Sequence, residues 1–236
     1  MSSPQKNQKN QKNNTQLLLN TQPPLFKQVC VIGLGLIGAS LAQAIKDNGL
    51  SQRLVAVDRH APSIEEAIKQ GLLEMGSSSL SDVVAGSDLI VIAVPVQAVR
   101  AVFADIKQAM DKGQLATDCM ITDVCSTKAN IIDAAKAVFT SLPTGFVPAH
   151  PIAGAENSGY HARRANLFVN HSVIICELPT TNYVAIAKLR MLWEAVGQKQ
   201  CPWTLTIMMP YWHIPAICRI YWRSIWLSNS QVMMTI

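Results

Sequence analysis

Apolar and polar positions alternate in blocks through the middle of the chain. Residues 29–32 form an unbroken apolar run that predicts a buried strand. A helical pattern then extends to about Asn48, and Gly49 follows as a C-cap. The stretch RLVAVD (53–58) predicts a second strand ending at Asp58, and SDLIVIAVP (87–95) a third ending at Pro95. Val99, Val102, Phe103 and Ile106 fall at helical spacing in the segment that follows. CMITDVCST (119–127) reads as a strand running into a turn, and KANIIDAAKAVF as the next helix. GFVPAHP (145–151) and HSVIICEL (171–178) predict two further strands, and a helix from about Asn182 to Val196 closes the series.

Strands alternating with helices predict an α/β domain with a doubly wound, mostly parallel sheet. Ligands of such sheets bind beyond the carboxyl ends of the strands. Pro95, Ser126 and His150 each sit at or just past a strand end, so they are expected to converge on one crevice.

Between the first strand and its helix lies Gly33-Leu34-Gly35-Leu36-Ile37-Gly38, and Asp58 ends the next strand 20 residues after Gly38. This is the dinucleotide fingerprint in its required strand–turn–helix context, that of a Rossmann dinucleotide-binding domain. Gly33 permits the tight turn, Gly35 lets the backbone approach a pyrophosphate, and Gly38 lets helix and strand pack closely. The helix start at Leu36 and Ile37 then offers unpaired N–H groups to the phosphates. Asp58 can accept hydrogen bonds from ribose hydroxyls, which favours NAD. Arg59 beside it softens that preference by offering a cation to a 2′-phosphate. The plainer alternative is a glycine-rich turn in an α/β protein without a cofactor.

The chain has 236 residues and a formal net charge of +5. The excess lies at the two ends: residues 1–46 hold five Lys and no acid, and no Asp or Glu follows Glu194. No basic face is evident, so a nucleic-acid partner is not expected. The six cysteines form no CxxC pair, and the N-terminus is polar, without the apolar core of an export signal. Reduced thiols in the cytoplasm are the expectation, with Cys30 and Cys119 as small apolar strand residues. No metal-ligand spacing is present, and no long uncharged apolar run suggests a membrane. Residues 1–22, with their QKN repeat, are too polar to offset their ordering entropy and are expected to be disordered.

GLGLIGASLAQAI, AVPV, TDVCSTK and HPIAGAENSG, in this order, resemble the prephenate dehydrogenase family over roughly residues 28–198. The first two motifs are shared by many nicotinamide enzymes, and the last two are much narrower. The resemblance implies NAD-dependent oxidative decarboxylation of prephenate, or of its amino analogue arogenate. It implies that His150 is the catalytic base, with Ser126 bonded to the substrate hydroxyl or to His150. It places Val94 and Pro95 beside the cofactor, and Gly154 and Glu156 near the substrate. The plainer alternatives are a hydrogen-bonded strand-end histidine for His150 and a helix cap for Ser126. His60, His161 and His171 are expected at the surface or in packing roles; for Arg163 and Arg164 the readings are attraction of the acidic substrate and, more plainly, a solvated helix face. Two other readings differ in class: another nicotinamide-dependent reductase or dehydrogenase, and a non-catalytic dinucleotide-binding module.

The resemblance also implies a second, all-helical domain that forms a homodimer and supplies an Arg for a substrate carboxylate. Nothing after Lys199 reads like it: Pro202, Pro210 and Pro215 break any helix, and four of the five tryptophans crowd into residues 203–226. A shifted reading frame accounts for this. Trp203–Thr204 then forces Asp, Met208–Met209 forces Asp, Met209–Pro210 forces Ala, and Tyr211–Trp212 forces Leu. A permitted reading of the whole is MDVDHHDAVLAHTSHLPHLLA, similar to the opening of the family's helical domain. The expected organisation is therefore a tail at 1–22, an NAD-binding domain at 23–198 and an out-of-frame segment at 199–236.

Overall fold

The computed structural model describes residues 23–197 and 205–206. The expectations for residues 1–22 and for the segment after 199 fall essentially outside them.

Seven strands are β1 (Phe26–Ile32), β2 (Ser51–Val57), β3 (Met75–Ser77), β4 (Leu89–Ile92), β5 (Met120–Asp123), β6 (Phe146–Pro151) and β7 (Val173–Glu177). They lie in the order β3-β2-β1-β4-β5-β6-β7, with the two-residue β8 (Leu205–Thr206) next to β7. All described pairings are parallel except β6 with β7, which is antiparallel. Five helices connect them: α1 (Leu36–Asp47), α2 (Ala61–Lys69), α3 (Val96–Asp111), α4 (Lys128–Lys136) and α5 (Tyr183–Ala195).

The apolar runs are continuous because both faces of the sheet are covered. Val29 and Val31 of β1, with Leu89 and Val91 of β4, join a core with Leu41 and Ile45 of α1 and Leu189 and Trp193 of α5. The alternate residues Cys30, Ile32, Ile90 and Ile92 join a second core with Phe103 of α3 and Ile131 of α4. Phe103 anchors that second layer, edge-on to Phe139 at 5.8 Å and to Phe146 at 5.5 Å. Phe168 and Trp193, 5.3 Å apart, do the same on the other side. Cys30 is fully buried, whereas Cys119 is half-buried just before β5.

Helix ends follow their sequence signals. The Asn182 side chain accepts the Val184 N–H at 2.8 Å and starts α5. At the end of α1, Gly49 donates to the Lys46 carbonyl and Leu50 to the Ile45 carbonyl, each at 3.0 Å, with Gly49 at φ +62°. These are the paired bonds of a Schellman cap. A Cβ on Gly49 would meet no atom within 4 Å, so only its backbone conformation matters. Gly49→Ala is expected to cost about 1–2 kcal/mol, read as a lower urea midpoint at unchanged slope.

Two elements carried no expectation. Helix α2 buries only Ile64 and Ala67, and β3 is three residues long. Pro62 near the start of α2 and Gly71 just after its end are the signals that mark it.

Candidate active site

The strand register builds the site. Val57 of β2, Ile32 of β1, Ile92 of β4, Asp123 of β5 and Pro148 of β6 stand in one row across five neighbouring parallel strands. The expected site residues lie directly past this row. Asp58 follows Val57, Gly33 follows Ile32, Val94 and Pro95 follow Ile92, Ser126 lies three beyond Asp123, and His150 two beyond Pro148. One edge of the sheet thus carries all of them, Pro95, Ser126 and His150 included.

The glycine turn has the geometry its spacing predicts. Gly33 adopts φ +101° and donates to the Val57 carbonyl at 2.7 Å. A Cβ there would lie 2.5 Å from the Ala93 oxygen. A Cβ on Gly38 would lie 2.0 Å from the Gly33 oxygen and 2.9 Å from the Ala93 Cβ, so α1 sits directly on the turn. A Cβ on Gly35 would meet nothing within 4 Å. Gly35 is the N-cap of α1; no side chain caps the helix and no acid occupies its first turn. The first turn of α1 therefore carries no side-chain cap and has open space beside Gly35, an arrangement suited to an anion.

The Asp58 carboxylate accepts the Leu34 N–H at 2.6 Å and the His60 N–H at 2.8 Å. It therefore fixes the glycine turn from the neighbouring strand, a role the sequence did not suggest, and keeps lone pairs on both oxygens for further donors. Arg59 beside it is exposed.

Past β4, the half-buried Val94 offers its carbonyl to the Cys125 thiol at 3.4 Å, and Pro95 opens α3. Burial and then the Asp123 carboxylate push that thiol up to about 11, so it stays protonated. Ser126 is exposed. The N-cap of α4 is Thr127, which makes no side-chain cap bond, so Ser126 does not fill the capping position considered for it. No hydrogen bond joins Ser126 to His150 among the described residues.

His150 lies on β6 opposite Ile174 of β7 and is half-buried, with its Nδ1 atom buried and without a hydrogen-bond partner. Burial lowers its pKa below the ordinary 6.5, the Lys128 charge lowers it further, and the Val124 backbone opposes both. The ring is neutral at pH 7, as a proton acceptor must be.

Two residues absent from the expected site stand beside it. Asp123 is wholly buried at the end of β5. Lys128, the first residue of α4, pairs with Asp123 Oδ2 and donates to the Ala149 carbonyl at 2.6 Å. Burial raises the Asp123 pKa, while the Lys128 ammonium and the Cys125 N–H, 2.9 Å from Oδ2, pull it down.

The loop after β6 carries Gly154 and Glu156, both exposed. Its continuation returns to the first helices. Tyr160 Oη donates to Gln70 at 3.0 Å, the Arg163 guanidinium lies 4.1 Å over the Tyr160 ring, and the Arg164 N–H donates to Ser40 Oγ at 2.9 Å. Arg163 is therefore engaged in packing rather than lying on a solvated face. His60 bonds Ser63, His161 lies 3.4 Å from Glu66, and His171 is exposed, all at the surface as expected. Among the described residues no cluster of His, Cys, Asp or Glu is placed to hold a metal, and no helix is long and apolar enough to cross a membrane.

Residues 41–201 match the family described as prephenate dehydrogenase, nucleotide-binding domain. The chain belongs to the prephenate dehydrogenase family. The match begins inside α1, past the glycine turn, so the assignment does not depend on a motif shared by many nicotinamide enzymes. Cyclohexadienyl dehydrogenase of Zymomonas mobilis is 34% identical over 174 residues, 73% of this chain and 57% of that protein. Prephenate dehydrogenase of Bacillus subtilis is 32% identical over 164 residues, 70% of this chain and 43% of that protein. Among solved structures, Synechocystis arogenate dehydrogenase superposes with a TM-score of 0.64 at 29% identity, over 73% of this chain and 58% of that chain. Aquifex aeolicus prephenate dehydrogenase gives 0.64 at 26%, over 72% and 59%. The prephenate dehydrogenase-type domain seen here thus spans about half the length of the curated relatives it matches.

Proposed function

We propose that this domain binds NAD along the strand-end row and supplies the base for oxidative decarboxylation of prephenate to 4-hydroxyphenylpyruvate. The observation that carries the reading is His150, neutral and half-buried at one end of the row that begins with Asp58 and the open space at Gly35. Asp58 and His150 are four strand spacings apart, roughly 19 Å, a span that suits an extended dinucleotide.

The residues present fit that cofactor. Gly35 leaves room for a pyrophosphate, the start of α1 offers N–H groups, and Asp58 can take the ribose hydroxyls. NAD held there would supply the hydride acceptor for the substrate carbon that bears the hydroxyl. His150 takes the proton of that hydroxyl as the oxygen becomes carbonyl-like. Ser126, unbonded to His150, holds the same hydroxyl in register with the ring. Carbon dioxide then leaves and its bonding pair completes the aromatic ring. Gly154 and Glu156 border the substrate from the loop after β6.

Since His150 accepts a proton only when neutral, and burial lowers its pKa, the acid limb of kcat/KM is expected below pH 6.5. A limb above that value would remove His150 as the group that titrates.

We read residues 199–236 as an out-of-frame segment, so the activity assay is best made on the gene after resequencing codons 195–236. The expected finding is one base missing or extra, with a frame that continues through TSHLPH. Stops throughout that frame would overturn this reading. The restored protein is expected to form NADH from prephenate and NAD, with NADP and arogenate as comparators. NADH formed from another hydroxy acid, and from neither of these, would overturn the assignment.

A further inference from the structure

We propose that Lys128 is a positioning residue for His150: its ammonium, held between the Asp123 carboxylate and the Ala149 carbonyl, fixes the end of β6 and keeps a positive charge beside the imidazole.

The placement of Lys128 is otherwise hard to explain. A cation in the first turn of a helix faces the positive end of the helix dipole, and α4 has no acid in its first turn to offset it. The ammonium is nonetheless drawn inward, with only 13% of the side chain exposed, against a carboxylate with none. Burying both charges is costly unless they are paired and bonded further. Here the further bonds run to functional neighbours. Asp123 Oδ2 also accepts the Cys125 N–H at 2.9 Å, which shapes the turn leading to Ser126. Lys128 donates at 2.6 Å to the carbonyl of Ala149, the residue directly before His150. One ion pair thus ties the turn of Ser126 to the strand of His150.

The charge acts on the ring as well as the backbone. Asp123 at the end of β5 stands in register with Pro148, two residues before His150, Cys125 follows it in the turn, Lys128 pairs with Asp123 from α4, and the apolar Ile174 lies opposite His150 on β7. The Cys125 thiol stays protonated and Asp123 spends its charge on Lys128. Lys128 is the charge that acts on His150, in the same direction as burial. Proton uptake by His150 during turnover then occurs against a fixed cation. This keeps the resting base free and speeds its later deprotonation.

The inference rests on the reading of His150 as the base, but its test does not need turnover. Imidazole nitrogen shifts of the chain, labelled at histidine and titrated with acid, report the His150 midpoint directly. Wild-type His150 is expected to titrate below the ordinary imidazole value of 6.5. Lys128→Met is expected to raise that midpoint, and Lys128→Arg to restore it. The double variant Asp123→Asn/Lys128→Met, which leaves no unpaired buried charge, guards against a single variant that fails to fold and is expected to show the raised midpoint too. An unchanged midpoint in the folded variants would overturn the proposal. In the restored enzyme the acid limb of kcat/KM should move upward with Lys128→Met while KM for NAD stays constant, a split that a purely structural role would not give. If His150→Asn leaves turnover intact while the midpoint still follows Lys128, the catalytic reading fails and with it the positioning role, and only the effect of the Lys128 charge on the ring stands.

Discussion

Gly35→Val is expected to leave the chain folded and to weaken NAD binding at least about 100-fold, or ~2.7 kcal/mol. Gly35 sits at φ −72° and ψ −172°, a conformation a branched residue adopts freely, and a Cβ there meets nothing within 4 Å. The added side chain therefore costs the fold little and fills only the space assigned to the pyrophosphate. Gly38→Val, three residues on, is expected to do the opposite. Its Cβ would lie 2.0 Å from the Gly33 backbone oxygen, an atom with no rotamer to move to. Overpacking of this kind costs about 3 kcal/mol or more, a fall in Tm of roughly 6–12 °C. Melting curves and NADH fluorescence titrations on both variants separate the outcomes. Full NAD affinity in folded Gly35→Val would move the pyrophosphate away from the start of α1.

His150→Asn is expected to lower kcat for prephenate about 1000-fold, the middle of the range for a general base, with KM for NAD little changed. Asparagine keeps much of the ring's size and polarity and loses its ability to take a proton. Packing opposite Ile174 should survive, so melting should shift little. The acid limb of the pH profile should vanish with the ring. A loss of tenfold or less would assign the base elsewhere on the crevice, and Ser126, exposed and open to the hydroxyl, would then need another proton acceptor.

Most of the sheet was legible because its strands are buried on both faces. Runs such as 29–32 and 89–92 are apolar without alternation, and only a strand sandwiched between helices needs that. The glycine turn was legible because each glycine answers a distinct steric demand, seen in the Ala93 and Gly33 contacts. Helix α2 and strand β3 were not, because they bury too little: two side chains in one, and a strand of Met75, Gly76 and Ser77 in the other. The antiparallel entry of β7 was equally hidden, since strand direction leaves no mark on an apolar run.

In the site, His150 and Ser126 came from the family motifs, and the register explains why they belong together. Lys128 escaped because a lysine at the start of a helix reads as solvated. The clue lay five residues upstream. Asp123 interrupts an apolar strand, and a buried acid requires a partner. The contacts of Tyr160, Arg163 and Arg164 with α1 and α2 span some 90 to 120 positions along the chain and left no local pattern to read.

The most direct measurement is the change in backbone amide shifts when the chain, as it stands, is titrated with NAD. Saturable changes are expected along one edge of the sheet alone: Gly33 to Gly38, Asp58 and Arg59, Val94, Ser126 and His150. NADP should produce weaker changes over the same residues. Saturable changes elsewhere, or none in a folded chain, would contradict the placement of cofactor and base on which the assigned chemistry depends.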